Sequence, residues 1–159
     1  MAWLAAELPP DIPPACVERA AAHYSLPTAL LVALVQVENG KVGKAYPRKH
    51  GTYFGPFQIS DKWLPRFEQW GYNSWQLTHN ACANAAAGAY VLAYYKMREP
   101  TWQMAIARYN VGSMNSPERI DAGSRYAKKV ISRWWGIYER WKSNGYAVED
   151  LKAQYATSP

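Results

Sequence analysis

With 159 residues the chain can bury one sizeable core, and it is too short for two comfortable ones. Hydrophobic residues make up 49% and charged residues 19%, a globular composition that excludes an intrinsically disordered chain. The net charge of +6 points to an anionic partner such as nucleic acid, a membrane surface or an acidic polymer. No apolar run approaches the roughly 20 residues of a membrane span.

In chain order, the opening MAWLAAELPP has a short apolar patch but no basic start and no adequate leader stretch. Residues 1–11 therefore read as an N-terminal extension, either never a signal peptide or the remnant of a trimmed one. IPPACVERAAAHY predicts a helix from Ile12 to Tyr24, with prolines at its start where a missing N–H costs nothing. SLPTALLVALVQVENG predicts a second, largely buried helix with Ser25 as N-cap and Gly40 as its stop. Lys41 to Pro56, rich in glycine, proline and basic residues, reads as a loop. A short helix is expected from Asp61, capped by Ser60 and bent at Pro65. The alanine-rich stretch from Asn80 to Glu99 predicts a long helix. Thr101 opens the next, TWQMAIARYN, which Gly112 stops. SMNSPERIDAGS reads as a loop, and RYAKKVISRWWGIYERWKSNG as a long basic and aromatic helix. Residues 146–159 read as a tail with a weak helical turn. With no alternating strand pattern and no interior linker, the expectation is all-α, with one domain over residues 12–145.

Metal chemistry finds little support. His23, His50 and His79 stand far apart, and His79 with Cys82 is an isolated pair without a partner of similar spacing. There is no phosphate-cradling glycine loop and no nucleophile elbow, so neither a metal nor a cofactor is implied. Nucleic-acid binding has the right ingredients in the last helix, where Arg125, Lys128, Lys129, Arg133, Arg140 and Lys142 are interleaved with aromatic rings. Yet Tyr126, Val130, Trp134 and Ile137 or Tyr138 recur at helical spacing. That pattern describes an ordinary amphipathic helix with a solvated basic face, so no nucleic-acid partner is expected. The two cysteines, Cys16 and Cys82, are either free buried thiols or one disulfide.

LLVALVQVENGK, from Leu30 to Lys41, raises a sharper question. Glu38 is the only acid between Glu18 and Asp61, and it ends the most apolar helix of the chain. If Leu30, Leu31, Leu34, Val35 and Val37 are packed, low dielectric and the negative end of the helix dipole both disfavour a charged carboxylate there. Such a glutamate would titrate high, as a general acid at neutral pH requires. The plainer alternative is a surface glutamate on the polar side of the last turn.

Two further stretches, FGPFQIS (Phe54–Ser60) and AIARYNVG (Ala105–Gly112), follow that helix in order. Together with NACANAAAGAYVLAYY and RYAKKV they resemble the soluble lytic transglycosylase (SLT) family of the goose-type lysozyme-like fold, over roughly Ile12 to Trp134. In detail the resemblance is nearest to the small transglycosylases of conjugation, secretion and pilus systems. It implies an all-α domain with a substrate groove, in which Glu38 matches the catalytic acid/base. Tyr109 matches the tyrosine whose hydroxyl approaches that carboxyl. Gln58 and Phe57 fall in the substrate-groove turn, Gly55 lets that turn pass close to the sugar, and Tyr126 matches a groove tyrosine. Asn110 and Gly112 are expected to hold their turn. Asn39 stands where the family usually has serine, and Pro56, Phe57 and Ser60 also depart from its pattern, which bears on substrate contacts and leaves the acid untouched.

The resemblance further implies peptidoglycan glycan strands as the partner, cleavage between N-acetylmuramic acid and N-acetylglucosamine, and a periplasmic or secreted location. Components of a secretion, conjugation or pilus apparatus are further expected partners. In such a compartment Cys16 and Cys82 are predicted to be bonded to each other. The rivals are a catalytically weak glycan-binding module, a muramidase hydrolysing the same bond, and a single-strand nucleic-acid binder.

Overall fold

The structure, a computed structural model, describes residues 2–145. The tail expected after Gly145 lies outside the described residues. The chain divides into two compact units, with the boundary between Tyr90 and Val91.

In the first unit, helix α1 (Ala2–Glu7) buries Leu4, and α2 (Pro14–His23) starts with its proline in the first turn. The expected cap, Ser25, does not begin the next helix. It closes α2 in a left-handed conformation (φ 53°), with its N–H on the Ala22 carbonyl and the Leu26 N–H on that of Ala21. That pair of bonds is a Schellman ending, so the third helix starts later than its sequence suggested. Helix α3 (Thr28–Glu38) is preceded by Pro27, and every residue from Ala29 to Val35 is buried. A helix apolar all round belongs in a core, and α3 is the centre of this unit. Residues before α2 also pack on it, for Gln36 Nε2 donates to the Glu7 carbonyl at 2.7 Å.

The expected loop at 41–56 is in part a small antiparallel sheet in the order β1 (Ala45–Arg48), β2 (Gly51–Phe54), β3 (Ile59–Ser60). Tyr46 pairs with Tyr53 and Arg48 with Gly51. The strands are too short to carry a clear apolar alternation, β1 being mostly exposed and β2 half-buried up to Phe54, and Pro47 is tolerated because β1 is an edge strand. After Ser60, whose hydroxyl accepts from the Lys62 N–H, come a 3-10 turn (Asp61–Trp63) and α4 (Leu64–Glu68). Pro65 sits in the first turn of α4, where the 3-10 turn passes into the α-helix. Helix α5 (Ser74–His79) was not anticipated, although Asn73 and Gln76 form a reciprocal capping box that is written in the sequence. Helix α6 (Ala81–Lys96) runs across the unit boundary, its first turn capped by Asn80 Oδ1 on the Ala83 N–H. Cys16 of α2 and Cys82 of α6 form the predicted disulfide, which also removes Cys82 from any metal pair with His79.

In the second unit, α7 (Trp102–Val111) is capped by Thr101 and ends at Gly112, as its sequence indicates. Helix α8 (Pro117–Ser143) begins inside the segment expected to be a loop. Ser116 caps it, Pro117 fills the first turn and Glu118 follows, a sequence-legible helix start. Gly123 suggested a loop but serves packing. A Cβ there would lie 3.1 Å from that of Ala107 and 3.2 Å from Met114 Sδ, so the glycine lets α7 and α8 approach. The buried stripe of α8 runs Tyr126, Val130, Trp134, Ile137 and Trp141, with Trp102 set edge-on against Trp134.

Candidate functional site

Glu38 is the last residue of α3, half-buried directly after the buried run. The helix stops there because Asn39 adopts the left-handed conformation (φ 53°, ψ 27°) and donates its N–H to Val35 O at 2.9 Å. Asparagine is among the side chains that enter this region at low cost. Gly40 is therefore not the helix stop. A methyl group there would collide with the Gly55 carbonyl oxygen and lie 2.7 Å from Gln58 Nε2. Gly40 is needed so that the end of α3 can press against the 55–58 turn.

Every backbone amide from Asn39 to Lys44 has an acceptor. Gly40 donates to Pro56 O, Lys41 to the Tyr46 hydroxyl, Val42 to Asp11 Oδ2, Gly43 to Thr78 O and Lys44 to Lys41 O. The segment that follows Glu38 is thus tied to four other parts of the unit, the condition for holding one carboxyl in place. Asp11 takes part in this tethering and was not singled out in the sequence. Asp61 acts similarly on the hairpin, accepting the Thr52 N–H at 2.9 Å.

The turn facing Gly40 is held from beneath by Asn84, which is fully buried. Its Oδ1 accepts from the Phe57 N–H, and its Nδ2 donates to Phe54 O and Leu77 O, each at 2.8 Å. The sequence signal for it is a lone asparagine among the alanines of α6. Gly55 (φ 65°) has no room for a side chain, because a Cβ would strike the Asn84 amide and the Leu77 carbonyl. One expectation changes here. Phe57 does not line a groove: it is 0% exposed, and it packs where a Cβ on Gly88 would come within 2.5 Å of its ring. Gln58 is left half-exposed in a left-handed conformation (φ 52°), at the mouth of the turn.

The second unit holds the remaining matched residues. Tyr109 and Gly112 are half-buried at the end of α7, and Asn110 is exposed. Gly112 (φ 69°) donates its N–H to Arg108 O at 2.8 Å, while Arg108 Nε returns to Gly112 O at 2.8 Å. Arg108 also pairs with Glu99 at 2.5 Å and lies 5.0 Å from the centre of the Tyr95 ring. Burial holds the Tyr95 hydroxyl above its ordinary pKa, partly opposed by Arg108. The turn after Tyr109 is therefore fastened by Arg108, which no local pattern marks in the sequence. Tyr126 lies in the inward stripe of α8 and is 9% exposed. Glu118 and Asp121, expected in a loop, occupy exposed turns at the start of α8, where Asp121 pairs with Arg125.

A family model described as Transglycosylase SLT domain matches residues 15–132. The chain belongs to the transglycosylase SLT family. The matched span includes Glu38, Gln58, Tyr109 and Tyr126, and the mostly helical architecture with its small sheet agrees with a lysozyme-like SLT domain. Invasion protein IagB of Salmonella typhimurium is 30% identical over 140 residues, covering 85% of this chain and 81% of the relative. Protein IpgF of Shigella flexneri is 26% identical over 135 residues, covering 84% of this chain and 88% of its own. Membership assigns a transglycosylase-family function directed at peptidoglycan. Among the described residues no helix is long and apolar enough to cross a membrane.

Proposed function

We propose that this SLT protein is a lytic transglycosylase that cleaves the β-1,4 bond between N-acetylmuramic acid and N-acetylglucosamine, leaving 1,6-anhydromuramyl ends. The observation that carries the proposal is the placement of Glu38. It is the only acid between Glu18 and Asp61, and it ends a buried helix with the amides from Asn39 to Lys44 all tied down. A hydrolysing glycosidase normally sets two carboxylates about the scissile bond. Of the other acids, Glu18 is part of α2, Asp11 and Asp61 are engaged with backbone amides, and Glu118 and Asp121 sit on exposed turns of α8.

With one carboxylate the substrate supplies the nucleophiles. Protonated Glu38 gives its proton to the leaving glycosidic oxygen while the muramyl N-acetyl oxygen bonds to C1. As a carboxylate, Glu38 then takes the proton of the muramyl 6-hydroxyl, whose oxygen displaces the acetamido oxygen from C1. Glu38 ends protonated, and no water is consumed. In this scheme the Tyr109 hydroxyl orients Glu38 or the substrate, while Gln58, Asn39 and the edge of Tyr126 contact the sugar. Asn110 and Gly112 hold the turn. The enzyme would work in the periplasm or outside the cell, a setting that suits the disulfide and the positive charge. Local opening of the wall for a secretion, conjugation or pilus apparatus fits relatives of which one is named for invasion.

Mass analysis of muropeptides released from purified sacculi tests this reading. Products lighter by one water than reducing-end muropeptides are expected. Reducing ends would make the protein a muramidase, and no release would leave a glycan-binding module.

A further inference from the structure

The first unit contains a cavity of about 430 Å³, a size that suits a single small ligand, and none of the residues assigned to the reaction lines it. Its floor is made by alanines of α2 and α6 beside the disulfide. Its walls carry Arg19, His23, Tyr24, Trp70, Tyr72 and Asn80, and no carboxylate lines it. The side chains there offer mainly hydrogen-bond donors. Arg19 makes one bond, from Nη2 to Cys82 Sγ at 3.3 Å, and forms no ion pair among the described residues. Asn80 uses its oxygen on the Ala83 N–H, which leaves its amide nitrogen as the group available to a ligand.

The aromatic wall is rigid and yet open. Trp70 is 53% exposed, but its ring is set edge-on to Tyr90 at 5.1 Å and against Phe67 at 6.1 Å. Tyr90 is itself fixed by Tyr24 and Trp63, and its hydroxyl accepts from Arg66 at 2.6 Å. A large apolar face held open by its neighbours offers contact area at little entropic cost. A guanidinium without a counter-charge, an outward amide and a preset aromatic face together fit a ring-shaped ligand that carries a carboxylate.

We propose that this cavity is a second peptidoglycan-recognition site, which takes a muramyl residue with the sugar against Trp70 and Tyr72 and a free carboxylate on Arg19 and Asn80. The carboxylate comes from the lactyl group of a bare muramyl residue or from the first residues of its peptide stem. Uncharged glucosamine units are discriminated against, and strands are gripped by their muramyl substituents at a place separate from the bond to be cut. The assignment rests on the peptidoglycan-directed function of the family.

The test is an NMR titration of the full-length Glu38→Gln protein, which cannot turn ligand over in the scheme above. The probes are N-acetylmuramic acid for the lactyl carboxylate, muramyl dipeptide for the stem carboxylate, and N-acetylglucosamine for neither. Saturable shifts of the Trp70 indole and of the Arg19 and Tyr72 signals are expected with at least one acidic probe. Arg19→Glu should weaken that binding by about tenfold or more, the scale of one lost charge-assisted bond. Trp70→Ala should weaken it as well. Arg19 is exposed, so its replacement keeps the fold even if the tryptophan variant does not. Equal binding of N-acetylglucosamine, unchanged binding by Arg19→Glu, or shifts confined to the neighbourhood of Gln58 would overturn the proposal. So would binding of carboxylate-terminated peptides alone, which would mark the cavity as a protein-docking site. Anhydro products from sacculi with a silent cavity would sink this inference and spare the reaction; the reverse pattern would sink the reaction and spare the site.

Discussion

Glu38 and Tyr109 can each be separated from a structural role by changing one atom or group. Glu38→Gln preserves the shape at the end of α3 and removes the proton donor. Turnover of sacculi should fall by roughly 10²–10⁴-fold, the usual worth of a general acid–base group, with the melting temperature nearly unchanged. Anhydro-muropeptide release at the wild-type rate would remove Glu38 from the chemistry. Tyr109 is only half-buried, so the loss of its hydroxyl in Tyr109→Phe should cost little stability. A drop of several-fold in kcat is expected if that hydroxyl orients the acid or the substrate. Parallel losses of activity and stability, followed by thermal melts and product release, would return Tyr109 to the core.

At the scale of elements, the candidate site depends on how α3 stops and on what supports the turn opposite. Asn39→Ala places a residue with a Cβ and no compensating side chain at φ 53°, which should cost about 1–2 kcal/mol. Asn39→Gly should be nearly neutral in stability. Activity measurements on the glycine variant then isolate the amide: full activity makes Asn39 a helix cap only, and a loss at wild-type stability makes it a substrate contact. Asn84→Ala removes the acceptor of the Phe57 N–H and the donor to Phe54 O and Leu77 O. Stranded buried groups cost about 1–3 kcal/mol each, and since they are neighbours the sum should be near 3 kcal/mol. Urea unfolding measures it, and a cost below about 1 kcal/mol would mean that the turn holds itself.

For the whole molecule, the disulfide is the covalent element to test. Cys16 and Cys82 are 66 residues apart in sequence, and closing such a loop restricts the unfolded chain by roughly 4 kcal/mol in the chain-entropy account. Reduction should lower the melting temperature by roughly 10 °C for a chain of this size. A scan with and without reductant decides it, and an unchanged midpoint would show the bond to be thermodynamically idle. Since α2 and α6 are already buried against their own unit through Val17, Ala20, Ala83 and Ala87, the reduced protein should still fold at low temperature.

The sequence by itself determined the helical class, the caps at Ser60 and Thr101, the stop at Gly112 and the buried stripe of α8. It also marked Glu38 as an acid on the end of an apolar helix. Each of these follows from interactions within a turn or two of the chain, or from a 3.6-residue period that any reader can count. Only the tertiary structure decided which glycines and asparagines matter and why. Gly40, Gly55 and Gly88 are small because another backbone or ring passes through the space a side chain would fill. Asn84 is polar because three groups from other elements converge on it. Asp11 holds the segment after Glu38 across a long gap in sequence, and Ser25 closes one helix where its local pattern looked like the start of the next. The hairpin left no sequence trace because its strands are four residues long and β1 is mostly exposed, too little for an alternating pattern to show. Contacts between distant parts of the chain set these outcomes, and no local pattern records them.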